Sequence, residues 1–338
     1  MEFPGSQGNH RPLATVVITL LLGILLAACA PTASSGQTAG QRSSPQTALG
    51  SQRAALSPAC ASAEQDVAIP DPALARAVMN SLRWDDRDAT TIPCSQLARI
   101  TSLMARGVGD LEGLQFAVNL SSLKIEDSDV ASLAHLNGLT RLQTVEIVRG
   151  SLADLDSLSD VPALTVLNVS GNSIDDLSAV ARFPRLIHLQ ANDNRLSDIS
   201  SLSVLRDLYW LELSDNDIAD ISALASLTSL GVLKLNRNAV TDAGPLAGLT
   251  KLGWIELEDN LLTDVDFVAN LELRILKLAR NHITSVRGLA SNRSLDAEQP
   301  YDLRHNCIDL ASADPFLQDM LGRGTSLLLE PQSECSAG

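Results

Sequence analysis

Leu, Ile, Val and Ala recur along most of this chain in one frame: two apolar residues separated by one residue, two further positions, then Asn. Leu167-Asn168-Val169-Ser170-Gly171-Asn172 shows it, and the frame returns at Asn194, Asn216, Asn238 and Asn260, each 22 residues after the last. Asn281 and Asn306 follow after 21 and 25 residues, and counting back by 22 places Gly150, Ser128 and Arg106 at the Asn position. The alternation inside each unit has the period of a β-strand, whose successive side chains point to opposite faces. A unit this short cannot bury its apolar face alone, so about ten of them must stack around one shared core.

Over residues 98–306 the frame reads Leu-x-x-Leu-x-Leu-x-x-Asn-x-Ile-x-Asp-Leu/Ile-x-x-Leu, with some shifts. It resembles the leucine-rich repeat, in the 22-residue form of internalin-like bacterial proteins. The resemblance implies an α/β-type solenoid: a horseshoe with a concave parallel β-sheet, short 3₁₀ turns or coil on the convex side, and a cap at each end. In that family the Asn side chain satisfies backbone groups of adjacent turns, which would otherwise be buried unpaired. Four residues past the Asn position stands Asp, at Asp110, Asp154, Asp176, Asp198, Asp220, Asp242 and Asp264. Asp favours helix N-caps because its oxygen accepts orphan N–H groups, so each predicts a capped turn.

Both ends of such an array need covering. Asp71-Pro72 reads as an N-cap followed by Pro at the first helical position. Leu74, Ala77, Val78 and Leu82 then share one helical face. The N-terminal cap is expected over residues 60–97 and resembles the cap helix of bacterial leucine-rich-repeat proteins. A helix–strand cap is expected over residues 307–338, with a helix from Asp314-Pro315 to about Gly322 and a strand over Thr325 to Glu330. Cys60 and Cys94 bracket the first cap, Cys307 and Cys335 the second. Disulfides 60–94 and 307–335 are therefore expected, since the other two pairings would tie together opposite ends of a long solenoid.

The start of the chain belongs to no repeat. Arg11 precedes an apolar run from Leu13 to Ala28, 16 residues long, which suits a signal-peptide core better than a membrane span. It ends Leu26-Ala27-Ala28-Cys29 and resembles the bacterial lipobox. That resemblance implies removal of residues 1–28, lipidation of Cys29, and a place at the cell envelope. Ala30 after the Cys favours the outer membrane in a Gram-negative cell. Residues 29–59 are rich in Ser, Ala, Gln, Gly, Thr and Pro and read as a flexible tether.

Composition agrees with a repeat core: hydrophobic residues are 45% but aromatics only 3%. The net charge of −15 argues against nucleic acid, which needs a basic face. The seven repeat Asp residues account for much of that charge, so it is weak evidence for a cationic partner. Asn192-Asp193-Asn194 and Ser214-Asp215-Asn216 fit the repeat frame better than a calcium site. No His-Glu-x-x-His, Gly-x-Ser-x-Gly or Gly-Lys-Ser/Thr motif occurs. The reading is of a non-enzyme without cofactor or metal.

The strand positions that face away from the core are more informative. Six residues before each Asn stand Val166, His188, Trp210, Val232, Trp254 and Ile275; four before stand Asn168, Gln190, Glu212, Lys234, Glu256 and Lys277. With strands about 4.8 Å apart, the first set forms a continuous apolar column rimmed by polar groups. That is the composition of a recognition patch, and Trp is a favoured anchor. The column, with Gln190, Glu212, Lys234 and Glu256 beside it, is the expected contact surface for a protein partner, with Trp210 and Trp254 as anchors. Glycan or peptidoglycan is the alternative ligand, since indole faces also stack on sugars. A structural envelope protein without a specific ligand is a third reading.

Overall fold

The computed structural model describes residues 60, 62–84, 91–292, 294–295, 300–310 and 315–332. The expected signal and tether, and with them Cys29, as well as Asp314 and Cys335, lie outside the described residues.

Each repeat enters as a short strand because alternating side chains serve core and solvent at once. An antiparallel pair comes first, β1 (Asp66–Ala68) with β2 (Thr91–Pro93). The repeat strands are β3 (Ser102–Arg106), β4 (Ser122–Glu126), β5 (Thr144–Val148), β6 (Val166–Asn168), β7 (His188–Gln190), β8 (Trp210–Glu212), β9 (Val232–Lys234), β10 (Trp254–Glu256), β11 (Ile275–Lys277), β12 (Tyr301–Asp302) and β13 (Leu327–Leu328). These eleven form one parallel sheet in chain order. Their inward residues, among them Leu211, Leu213, Leu233, Leu235, Ile255 and Leu257, are fully buried. Each such side chain contributes about 2 kcal/mol of burial.

The repeat Asn supplies the polar half of the core. Asn238 Nδ2 donates to the Leu235 carbonyl in its own turn at 3.1 Å and to the Leu213 carbonyl in the turn before at 3.0 Å. Its Oδ1 accepts the Ile218 N–H at 2.9 Å. Asn172, Asn194, Asn216, Asn260, Asn281 and Asn306 repeat the pattern.

Short 3₁₀ turns lie in the connections, from Leu114–Phe116 to Asp266–Val268. The repeat Asp stands one residue before their N-caps, not at them. Asp176, Asp198, Asp220 and Asp242 each accept the N–H two residues on, at 2.6–2.8 Å. The N-cap residues Leu177, Ile199, Ile221 and Ala243 make no side-chain cap. They are buried. The N-cap position faces the core, so the accepting oxygen comes from the preceding residue as an Asx turn.

The first unit is shorter than the frame implied. Ser102 pairs with Ser122, an offset of 20. Arg106 lies on the strand and no residue fills the Asn position. Val108 takes the apolar place that follows it, its N–H received by Ser128 Oγ at 3.1 Å as those of Leu152 and Ile174 are by the next Asn. Arg106 ends β3 and pairs with Glu126.

At the N-terminal end, α1 (Pro72–Leu82) is capped by Asp71 as expected. Asp71 Oδ1 accepts the N–H groups of Ala73 and Leu74, while Oδ2 accepts that of Gly109 at 2.7 Å. One carboxylate thus caps the helix and ties it to the first repeat. Leu74 and Val78 are buried, with Ala77 and Leu82 packed against the same core. The disulfide Cys60–Cys94 joins the chain before β1 to α2 (Cys94–Leu97), Cα atoms 6.0 Å apart. At the other end, α3 (Arg287–Ser291) and α4 (Pro315–Gly322) precede β13. That strand is two residues long, not the six of Thr325–Glu330, because β12 offers only Tyr301 and Asp302 to pair with. Cys307 is disulfide-bonded.

Candidate functional site

The parallel register carries the outward residues into columns. Val166, His188, Trp210, Val232, Trp254 and Ile275 stand side by side across β6–β11, and Asn168, Gln190, Glu212, Lys234, Glu256 and Lys277 form the next column. All lie on the face predicted, but they are not equally open to a partner. Trp210 and Trp254 flank Val232, and their rings lean together to a centroid distance of 5.8 Å at 57°. Val232 keeps only 5% of its surface exposed beneath them. The His188 ring extends the cluster, 5.3 Å from Trp210. Its Nε2 is buried without a hydrogen-bond partner. Burial pushes its pKa below the ordinary value, so His188 serves here as a neutral aromatic ring.

The polar column holds the indoles in place. Trp210 Nε1 donates to Glu212 at 2.7 Å and Trp254 Nε1 to Glu256 at 2.8 Å. Lys234 Nζ bonds Glu212 at 2.8 Å and lies 5.3 Å from both indole centroids. Lys277 bonds Glu256 at 3.0 Å in the same way. Asn192 and Asn236 donate to the second oxygens of Glu212 and Glu256, both at 3.1 Å. The unit Trp-x-Glu, with Lys from the following strand and Asn from the preceding one, is thus built twice. Burial acts to raise the pKa of Glu212 and Glu256, but these donors outweigh it and hold both below the ordinary carboxylate range. Glu212, Lys234 and Glu256 therefore spend their bonding groups within the face, leaving the indole surfaces and the amide of Gln190 as its free features.

Sequence reasoning overlooked three elements. Tyr209 is 40% exposed beside Trp210. It lies so close over Gly231 that a Cβ there would stand 2.3 Å from its ring, so Gly231 gives the ring its seat. Second, the residue just before each Asn position adopts a left-handed conformation, at Asp127, Arg149, Gly171, Asp193, Asp215, Arg237, Asp259, Arg280 and His305. These side chains form an exposed ladder along the sheet, with Asp127–Arg149, Asp215–Arg237 and Asp259–Arg280 paired. Third, a depression of about 380 Å³ opens over the outward polar residues of β4–β7, lined by Lys124, Glu146, Asn168, Gln190, Gly171 and Asp193 among others. A mixture of Asp, Arg and Gly at one turn position was the available signal for the ladder.

Stacked short strands, an Asn ladder and an outward-facing, partly apolar sheet define a leucine-rich-repeat solenoid. A leucine-rich-repeat family model matches residues 162–181. Internalin C2 of Listeria monocytogenes is 30% identical, with TM-score 0.59, over 61% of this chain and 94% of that one. Internalin F of the same organism is 23% identical, with TM-score 0.58, over 78% of this chain and 90% of that one. The plant peptide hormone receptor RGFR1, solved in complex with RGF2, is 23% identical with TM-score 0.57, over 70% of this chain and 41% of its own. Among curated proteins no sequence matches significantly. The chain belongs to the leucine-rich-repeat family, in its internalin-like form.

Proposed function

We propose that the chain is a binding scaffold whose concave sheet face receives a protein partner, with Trp210 and Trp254 as anchors. The observation that carries this is the aromatic cluster itself. Two indoles are held on an outward face by one hydrogen bond each, to Glu212 and Glu256, and each of those carboxylates is paired with a Lys. The core needs none of these groups. Rigid aromatic anchors rimmed by paired polar groups are what interface hot spots are made of. The plant receptor of the same fold is a receptor for a peptide hormone, which agrees with a protein or peptide ligand. Partner selection from a displayed library of random 12-residue peptides tests the reading (a library format, about 12 residues matching the span of several strands). Enrichment on the full chain that disappears with Trp210→Ala/Trp254→Ala is expected; equal enrichment on both would overturn it.

The lipid anchor belongs to the same proposal. It is supported by the apolar run and Leu26-Ala27-Ala28-Cys29. A lipidated Cys29 followed by a polar tether would hold the scaffold at the bacterial envelope. Palmitate labelling in cells is expected for the wild type and absent in Cys29→Ala; label retained in that variant would remove the anchor.

A further inference from the structure

The ladder of left-handed residues has one broken rung. At three places an Asp is bonded by an Arg one repeat later: Asp127 by Arg149 Nε at 2.7 Å, Asp215 by Arg237 Nη2 at 2.6 Å, and Asp259 by Arg280 Nη2 at 2.7 Å. Between the first pair and the second stand Gly171 and Asp193. Gly171 shares the left-handed conformation of its neighbours, at φ +71, but offers no side chain. Asp193 is exposed and, among the described residues, makes no side-chain hydrogen bond or ion pair. Both line the 380 Å³ depression, as does Gln190, which shares β7 with His188.

Most other acids of this face are engaged. Glu126, Glu146, Glu212, Glu256 and Asp302 each hold a Lys or Arg. Glu258 has no such bond, and burial raises its pKa against the pull of Lys277 and Arg280; it stands outside the ladder. Asp193 is the ladder Asp for which a cation is missing, and the missing cation has a defined chemistry. The fold places a guanidinium against the same Asp position three times, and a planar fork on a carboxylate is a strong charge-assisted pair.

We propose that the partner inserts a basic side chain, an Arg by this geometry, into the depression at Gly171, with Asp193 receiving it. The inference rests on the reading of the concave face as the binding surface and adds the partner's chemistry to it. The recognised segment carries a basic residue beside an apolar one, the first bonded to Asp193 and the second packed on Trp210.

The test uses peptides enriched from the 12-residue library on the full chain, assayed for affinity against wild type and variants (about 12 residues, as above). A basic residue at a fixed place in those peptides is expected. Asp193→Asn should weaken them about ten-fold. Replacing the peptide Arg by citrulline, its neutral isostere, should cost about as much on wild type and little on Asp193→Asn, as a coupled pair requires. Added salt should weaken wild type more than Asp193→Asn. Gly171 stands one repeat before Asp193, whereas each paired Arg stands one repeat after its Asp; Gly171→Arg fills the depression from the chain itself and should weaken binding by occupying it. Arg149, Arg237 and Arg280 adopt that backbone conformation, though a Cβ at Gly171 would sit 3.2 Å from the Arg149 backbone. Should that variant not fold, Asp193→Asn carries the test. Peptides that need both Trp residues but bind Asp193→Asn as tightly as wild type would overturn this inference and leave the reading of the face standing. Peptides indifferent to Trp210 and Trp254, or no enrichment at all, would overturn both.

Discussion

Asn216→Ala is expected to lower stability by about 3–5 kcal/mol, a loss on the scale of the other buried ladder Asn residues. Asn216 Nδ2 donates to the carbonyls of Ala191, Leu213 and Ser214 at 3.0, 3.0 and 3.2 Å. Its Oδ1 accepts the Leu196 N–H at 3.0 Å. The side chain is buried, so water cannot replace those bonds. Removing it strands one N–H and weakens the satisfaction of three carbonyls across two turns, and a buried unpaired group costs the full desolvation of that group. The neighbouring rungs at Asn194 and Asn238 remain, so the loss is local to the junction that Asn216 closes. Urea unfolding followed by far-ultraviolet dichroism would show a lowered midpoint, with Asp217→Ala, one residue on and exposed, as the control. A midpoint shared by both variants would contradict the role given to the Asn ladder.

Trp210→Ala/Trp254→Ala is expected to reduce partner affinity by about a hundred-fold or more, since truncating buried aromatic anchors costs about 2–4 kcal/mol each. Much of the face depends on the two rings. They cover Val232, share the Lys234 ammonium, and give Glu212 and Glu256 their indole donors. Removing both opens Val232 to solvent and releases Lys234 from its place between them. None of the inward residues Leu211, Leu233 or Ile255 loses its burial within the repeat core, so the fold should survive. Titration of the selected peptides against wild type and the double variant, with thermal midpoints measured alongside, separates lost contact from lost structure. Undiminished affinity in a folded double variant would remove the anchors.

Much of the fold was legible because each repeat contains its own reasons. The alternation Leu211-Glu212-Leu213 specifies a strand, and an Asn every 22 residues specifies which backbone groups are to be satisfied. The Asp turns were legible in kind but displaced by one residue, because the N-cap position is claimed by the core. The shortened first unit was not legible: Val108 takes the apolar place of Leu152 and Ile174, and the Asn position that would mark the unit is skipped. For the site, period-2 reasoning placed every member of the aromatic column on the correct face. It could not show the closure of two indoles over Val232, or Lys234 between them, since both depend on side-chain directions across three strands. Asp193 and Gly171 passed as ordinary turn residues. Only the pairing of residues one repeat apart reveals that their rung lacks a cation.

The account stands on the concave aromatic cluster being the contact surface. The chain has three Trp residues, so Trp84→Phe leaves Trp210 and Trp254 as its only indoles. Acrylamide quenching of their fluorescence, measured with and without a saturating selected peptide, reads that surface directly. Quenching that falls on peptide addition is the predicted result; quenching unchanged at saturation would contradict it.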